Sequence, residues 1–131
     1  MFKKVLFPID HTRESLEAAE TVIRLVQFCN SQLTVLSVVP EPEEGQEAPS
    51  FEVIAQLLEK VKSLFSQQGI PVETLERKGK PAFAICDVAD EIGADVIVMA
   101  CRGLGLTEEG ASDSVSNRVI NLAPCPVLVV P

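Results

Sequence analysis

The chain has 131 residues, 47% of them hydrophobic, and a formal net charge of −8. That is the length of one ordinary domain, expected over 1–131, with enough apolar residues for a core that needs no disulfides. The acidic balance and the absence of Trp and Tyr argue against a nucleic-acid binder or a binder of anionic membranes, since both need basic charge and single strands need stacking aromatics.

In chain order, "KKVLFPI" reads as a short apolar strand, which Pro8 and Asp10 are expected to end. Thr12 is placed to cap the helix that follows, where Leu16, Ala19, Val22, Ile23 and Val26 recur at helical spacing. "QLTVLSVV" is a second strand, apolar on both faces, and "PEPEEGQEAPS" is an acidic, Pro-rich surface loop. Ser50 can cap a second helix with Ile54, Leu57, Leu58, Val61, Leu64 and Phe65 inward, stopped by Gly69. "PVETLER" alternates as an edge strand does. Pro81 suits the first turn of a third helix whose inward face is Ile85, Val88, Ala89 and Ile92, and Gly93 ends it. "DVIVMA" is a fourth, wholly apolar strand, with Val96–Val98 and Met99 as core. A last helix is expected to turn Val115, Val119, Ile120 and Leu122 inward, and "CPVLVV" is the fifth strand.

Strict alternation of strand and helix implies an α/β fold: a doubly wound, five-stranded parallel sheet with helices on both faces and right-handed crossovers. The common doubly wound folds suggest the order 3-2-1-4-5. Ligands of such sheets sit beyond the carboxyl ends of the strands, where the winding reverses. With that order the reversal falls between the first and fourth strands, facing the loops Pro8–Thr12 and Cys101–Asp113.

The second of those loops, "CRGLGLTEEGASD", is Gly-rich as phosphate loops are, yet it carries Glu108, Glu109 and Asp113. Several chemistries are absent. The turn after the first strand, "PIDHTRES", has no glycine, so there is no G-x-G-x-x-G dinucleotide fingerprint, and it lacks the hydroxyls of a flavin-phosphate loop. The third strand ends in "ERKGK" rather than in a phosphorylatable Asp, and no P-loop occurs. Cys29, Cys86, Cys101 and Cys125 are widely spaced, and the chain has a single His, so neither a zinc site nor a redox pair is expected; the thiols read as reduced and cytosolic. No apolar run reaches the length of a membrane span, and the start meets Pro8 and Asp10 too early for a signal peptide. The expected location is the cytoplasm.

"VLFPIDHT", "DVIVMACRG" and "SVSNRVINLAPCPVLVV" carry a resemblance that covers essentially the whole chain: it is similar to the universal stress protein family. The resemblance implies an adenine-nucleotide fold with the strand order assumed above, and homodimers paired through the last strand, Pro126 to Val130. It implies AMP or ATP as ligand and no metal. Nucleotide-binding members carry G, two residues, G, nine residues, G, then Ser or Thr. Here the spacing is kept as Ala100, Gly103, Asp113 and Ser114, but two of the three glycines are replaced. Carried over, Asp10 would bond the ribose and Val38 or Val39 would meet the adenine. Gly103, Ser114 and Ser116 would touch phosphates, with Arg102 beside Gly103. Pro8, Ile9, Met99 and Val115 complete the implied lining.

Ala100 adds only a methyl group. Asp113 adds a carboxylate at a helix N-terminus, which attracts anions and there competes with a phosphate. Two unit charges 4 Å apart at an effective dielectric of 20 interact by about 4 kcal/mol, nearly a thousandfold in affinity. ATP is therefore expected to bind less well than AMP. The local alternatives remain: Asp10 as a helix cap, His11 as a solvent-facing loop residue, Cys101 as a small strand-end residue, and Arg102 paired with Asp113 or Glu109 instead of a phosphate. Two functions follow, a nucleotide-sensing regulatory dimer, or a dimeric scaffold that binds no nucleotide and acts through a partner protein. An enzyme ranks last, because no general base and metal cluster is supplied.

Overall fold

The computed structural model describes residues 2–9, 13–39, 51–100 and 115–131. Nine elements occur among them, in the order β1 (Lys4–Ile9), α1 (Arg13–Cys29), β2 (Gln32–Val39), α2 (Phe51–Gln67), β3 (Val72–Lys78), α3 (Pro81–Ile92), β4 (Val96–Ala100), α4 (Val115–Leu122) and β5 (Val127–Val130). The expected caps Thr12 and Ser50, and the acidic loop, lie outside the described residues.

The strands form one parallel sheet in the order β3-β2-β1-β4-β5. Strand alternation divides the side chains between two cores. Val5, Phe7 and Ile9 of β1 join Leu33, Val35 and Val39 of β2 under α1 and α2, which contribute Ala18, Ala19, Val22 and Val26, and Leu58, Val61 and Phe65. Leu6, Leu36, Ile97 and Met99 point the other way, against Ala82, Ile85, Val88 and Ala89 of α3 and Val119 of α4. Two helices therefore cover each face, which is why β4 and β1 from Val5 on are apolar throughout and β2 is interrupted within its buried run only by Thr34 and Ser37.

The helix ends follow local chemistry. Gly69 closes α2 at φ 74°, and the Ile70 N–H donates to the Phe65 carbonyl at 3.0 Å. Gly93 closes α3 at φ 66° and ψ 44°, and the Ala94 N–H donates to the Ala89 carbonyl at 2.9 Å. Both glycines hold the left-handed conformation that side chains disfavour. At the amino end of the sheet, Asp95 accepts the Lys3 and Lys4 N–H groups on one carboxylate oxygen, each at 2.9 Å. This ties the entry of β4 to the start of β1.

Two expectations are corrected. β1 does not stop at Pro8 but runs through it to Ile9. Ile120 and Leu122 are not core; they are about half exposed, at 51% and 49%. The reason is placement. α4 has eight residues and lies over β5, the edge strand, with α3 on one side, and among its described side chains only Val119 is fully covered. No helix among the described residues is long and apolar enough to cross a membrane.

Candidate functional site

In a parallel sheet all carboxyl ends lie on one side. α4 returns antiparallel between β4 and β5, so its first residue, Val115, lies at that same end. Pro8 and Ile9 end β1, Val38 and Val39 end β2, and Met99 and Ala100 end β4. The fold thus gathers these seven residues at one end, as expected. Ser116 is the second residue of α4. Asp10, Arg102, Gly103, Asp113 and Ser114 lie outside the described residues.

Val38, Met99 and Val115 pack on the α3/α4 core, while Ile9, Val39 and Ala100 pack on the α1/α2 core. Val38 and Val39 differ in what they offer. Val39 is 6% exposed, and its carbonyl accepts the Gly79 N–H at 3.0 Å. Val38 is half-buried, on the side of the sheet that α4 covers.

Pairing between β1 and its neighbours is unequal. With β2 it runs the full strand, from Lys4↔Gln32 to Ile9↔Ser37. With β4 it is recorded at Val5↔Val96 and Leu6↔Ile97. The backbone explains the difference. Along a strand, successive residues direct their N–H and C=O groups to opposite neighbours. The Gln32 N–H donates to the Lys3 carbonyl and the Asp95 N–H to the Lys4 carbonyl, so residues 4, 6 and 8 face β4. The Ile97 N–H donates to the Pro126 carbonyl, so Val96, Val98 and Ala100 face β1. The rung after Leu6 would run from the N–H of residue 8 to the Val98 carbonyl. Pro8 has no N–H. That one bond is missing from the ladder, while both strands run on, β1 to Ile9 and β4 to Ala100.

Proline is rare in a central strand for this reason. Pro8 was expected as a lining residue from the resemblance; which neighbour its backbone faces depends on the strand order. The available signal was a proline inside an apolar strand-like run.

Among the described residues the perturbed thiols lie elsewhere, and His11 and Cys101 fall outside the described residues. The Cys86 thiol is pushed up in pKa by burial first, then by the Asp87 carboxylate and Cys125. The Cys125 thiol is raised by burial and then by Asp95. Both pack on the α3/α4 core, Cys125 at the amino end of β5. Among the described residues no three His, Cys, Asp or Glu side chains are grouped to hold a metal ion. A hollow of about 340 Å³ lined by Lys4, Thr34, Glu73 and Ile92 lies at the amino end of the sheet, opposite the crevice.

The profile of the universal stress protein family matches residues 1–131. A universal stress protein of Synechocystis sp. is 56% identical, over 100% of this chain and 87% of its own. One from Methanocaldococcus jannaschii is 35% identical, over 99% and 82%. Among solved structures, a universal stress protein in complex with cAMP superposes with a TM-score of 0.82 at 21% identity, covering 99% of this chain and 97% of its own. The universal stress protein from Archaeoglobus fulgidus in complex with dAMP gives 0.70 at 23% identity, covering 100% and 98%. At these identities the two structures speak for the fold alone.

Proposed function

The chain belongs to the universal stress protein family, and from that premise we propose that it is a cytoplasmic regulatory module, not an enzyme, that binds an adenine nucleotide beyond the carboxyl ends of β1 and β4. The observation that carries this reading is the strand order β3-β2-β1-β4-β5, in which the winding reverses between β1 and β4, with α4 beginning at the same end. Such a reversal point is where open α/β sheets take ligands. The complexes of fold relatives with cAMP and dAMP support the choice of adenine. Val38, half-buried on the α4 side, meets the base; Asp10 holds the ribose; Gly103, Ser114 and Ser116 hold phosphate near the α4 N-terminus, where free N–H groups favour anions.

Asp113 and Ala100 stand where two glycines are expected. They favour AMP over ATP, and they are the one feature that favours a second reading, a dimeric scaffold that binds no nucleotide. Calorimetric titration with AMP and ATP, paired with thermal shift, tests both. A ligand at a hundred times its dissociation constant adds about 2.7 kcal/mol of stability. A flat response to every adenine nucleotide rejects the first reading, and ATP binding as tight as AMP rejects the role given to Asp113.

The homodimer through β5 rests on the contrast between the two sheet edges. β3 presents exposed Glu73, Arg77 and Lys78, charges that discourage strand addition. β5 is all Val and Leu, with Leu128 40% exposed and Ile120 and Leu122 nearby on α4. A two-fold axis beside β5 covers this edge with its own copy.

A further inference from the structure

We infer that the hollow at the amino end of the sheet is a binding site for a small zwitterion of the α-amino acid class. The topology explains why the hollow exists. α3 starts beyond the carboxyl end of β3 and ends at Ile92, before the amino end of β4. Because β2 and β1 lie between those two strands, the helix crosses the sheet diagonally and leaves the amino corner of β2 and β3 uncovered. The space left there is about 340 Å³, inside the range of about 300–1,000 Å³ that small-molecule sites occupy.

Strand alternation decides what faces this space. Leu6, Leu36 and Leu75 pack on the α3/α4 core, so Lys4, Gln32, Thr34 and Glu73 point to the same side. The register sets them in two rows, Lys4 beside Gln32 and, one pleat further on, Thr34 beside Glu73. All four line the hollow, with Ile92 as an apolar wall. Thr34 is 8% exposed and lies deepest, while Lys4, Gln32 and Glu73 are open to solvent, so a ligand enters without displacing any element. The Lys4 ammonium donates to the Ile92 carbonyl at 3.2 Å, and two of its three N–H groups remain for a ligand. Glu73 stands two strands away, about 10 Å across the sheet. Among the described residues neither Lys4 nor Glu73 forms an ion pair. Opposite charges thus border one small cavity without meeting. A molecule with its own carboxylate and ammonium answers both, the carboxylate on Lys4 and the ammonium on Glu73. The Gln32 amide and the Thr34 hydroxyl serve either group. A polyphosphate would meet Glu73 and a polycation would meet Lys4, which disfavours ligands of a single sign.

The hollow and the crevice lie at opposite ends of the sheet, so this inference stands or falls apart from the adenine-nucleotide reading. The test is an amide NMR titration of the whole, isotope-labelled chain with L-leucine. Two analogues are compared: leucinamide, which lacks the carboxylate, and isocaproate, which lacks the ammonium. Leucine is expected to shift the Gln32, Thr34 and Glu73 amides saturably at millimolar concentration. Each analogue is expected to bind about tenfold more weakly, the loss of one charge-assisted hydrogen bond. Glu73→Gln should weaken leucine about tenfold and leave isocaproate unchanged. Lys4→Gln should weaken leucine and isocaproate alike and leave leucinamide unchanged. No saturable shift up to about 10 mM leucine overturns the site. Equal affinity for leucine and both analogues overturns the zwitterion class and leaves apolar contact alone. Losses that do not sort by the charge removed overturn the roles given to Lys4 and Glu73.

Discussion

Phe65 offers the most direct measure of how α2 is held to the sheet. It is fully buried, and its ring meets that of Phe7 edge to face, with centroids 6.3 Å apart and an interplanar angle of 84°. Phe7 lies in β1, so this contact joins α2 to the central strand. Phe65→Ala leaves a cavity and removes the aromatic contact; the expected cost is about 3–5 kcal/mol. Phe65→Leu keeps most of the apolar volume and should cost about 1–1.5 kcal/mol. The ring-on-ring geometry itself contributes about 0.5–1.5 kcal/mol, which a double-mutant cycle with Phe7→Leu isolates. Urea denaturation followed by circular dichroism at one fixed protein concentration reads all of these, with the slope unchanged between variants. Against a total of about 5–15 kcal/mol for an ordinary domain, the alanine variant loses a large share of its stability. A cost below about 2 kcal/mol, or strict additivity in the cycle, would show that α2 is not anchored through this pair.

If the protein pairs through β5 as proposed, Leu128→Asp places a charge on that apolar edge and is expected to convert dimer to monomer, read by sedimentation velocity at micromolar concentration; a native protein that sediments as monomer, or an unchanged coefficient in the variant, rejects the β5 interface. Asp95→Ala removes the acceptor shared by the Lys3 and Lys4 N–H groups. Because these bonds are exposed and water replaces part of them, the loss should be about 1–2 kcal/mol by chemical denaturation. Glu76 holds one buried carboxylate oxygen with no hydrogen-bond partner; Glu76→Leu is expected to raise stability by about 1 kcal/mol, and a fall in melting temperature would contradict that. Cys86 and Cys125 both titrate above the ordinary thiol range. The folded state then favours the neutral thiols, so their contribution is full below the unfolded thiol pKa and is lost as pH rises through the folded values. Stability of the native protein should therefore decline more steeply above about pH 8.5 than that of a Cys86→Ala, Cys125→Ala variant.

Much of the fold was readable along the chain because its causes are local. The alternation of strands and helices, the turns at Gly69 and Gly93 and the proline opening α3 all depend on residues within a few positions of each other. The expectation for Ile120 and Leu122 failed for a complementary reason: helical spacing identifies an apolar stripe, but not whether a second helix stands beyond it. The candidate site was legible as a set of strand ends, Pro8 and Ile9, Val38 and Val39, Met99 and Ala100. Its construction was not.

By itself the sequence determined the class of fold, the identity of its elements and the family, because periodicity, turn chemistry and motif spacing are written in neighbouring residues. The order of the strands and the edge position of the last one could only be carried over from the resemblance, and the tertiary structure shows them, with Leu128 on the outer edge. Each depends on which distant backbone a residue faces. Pro8 lacks a donor in any conformation, and only the tertiary structure turns that missing donor toward β4.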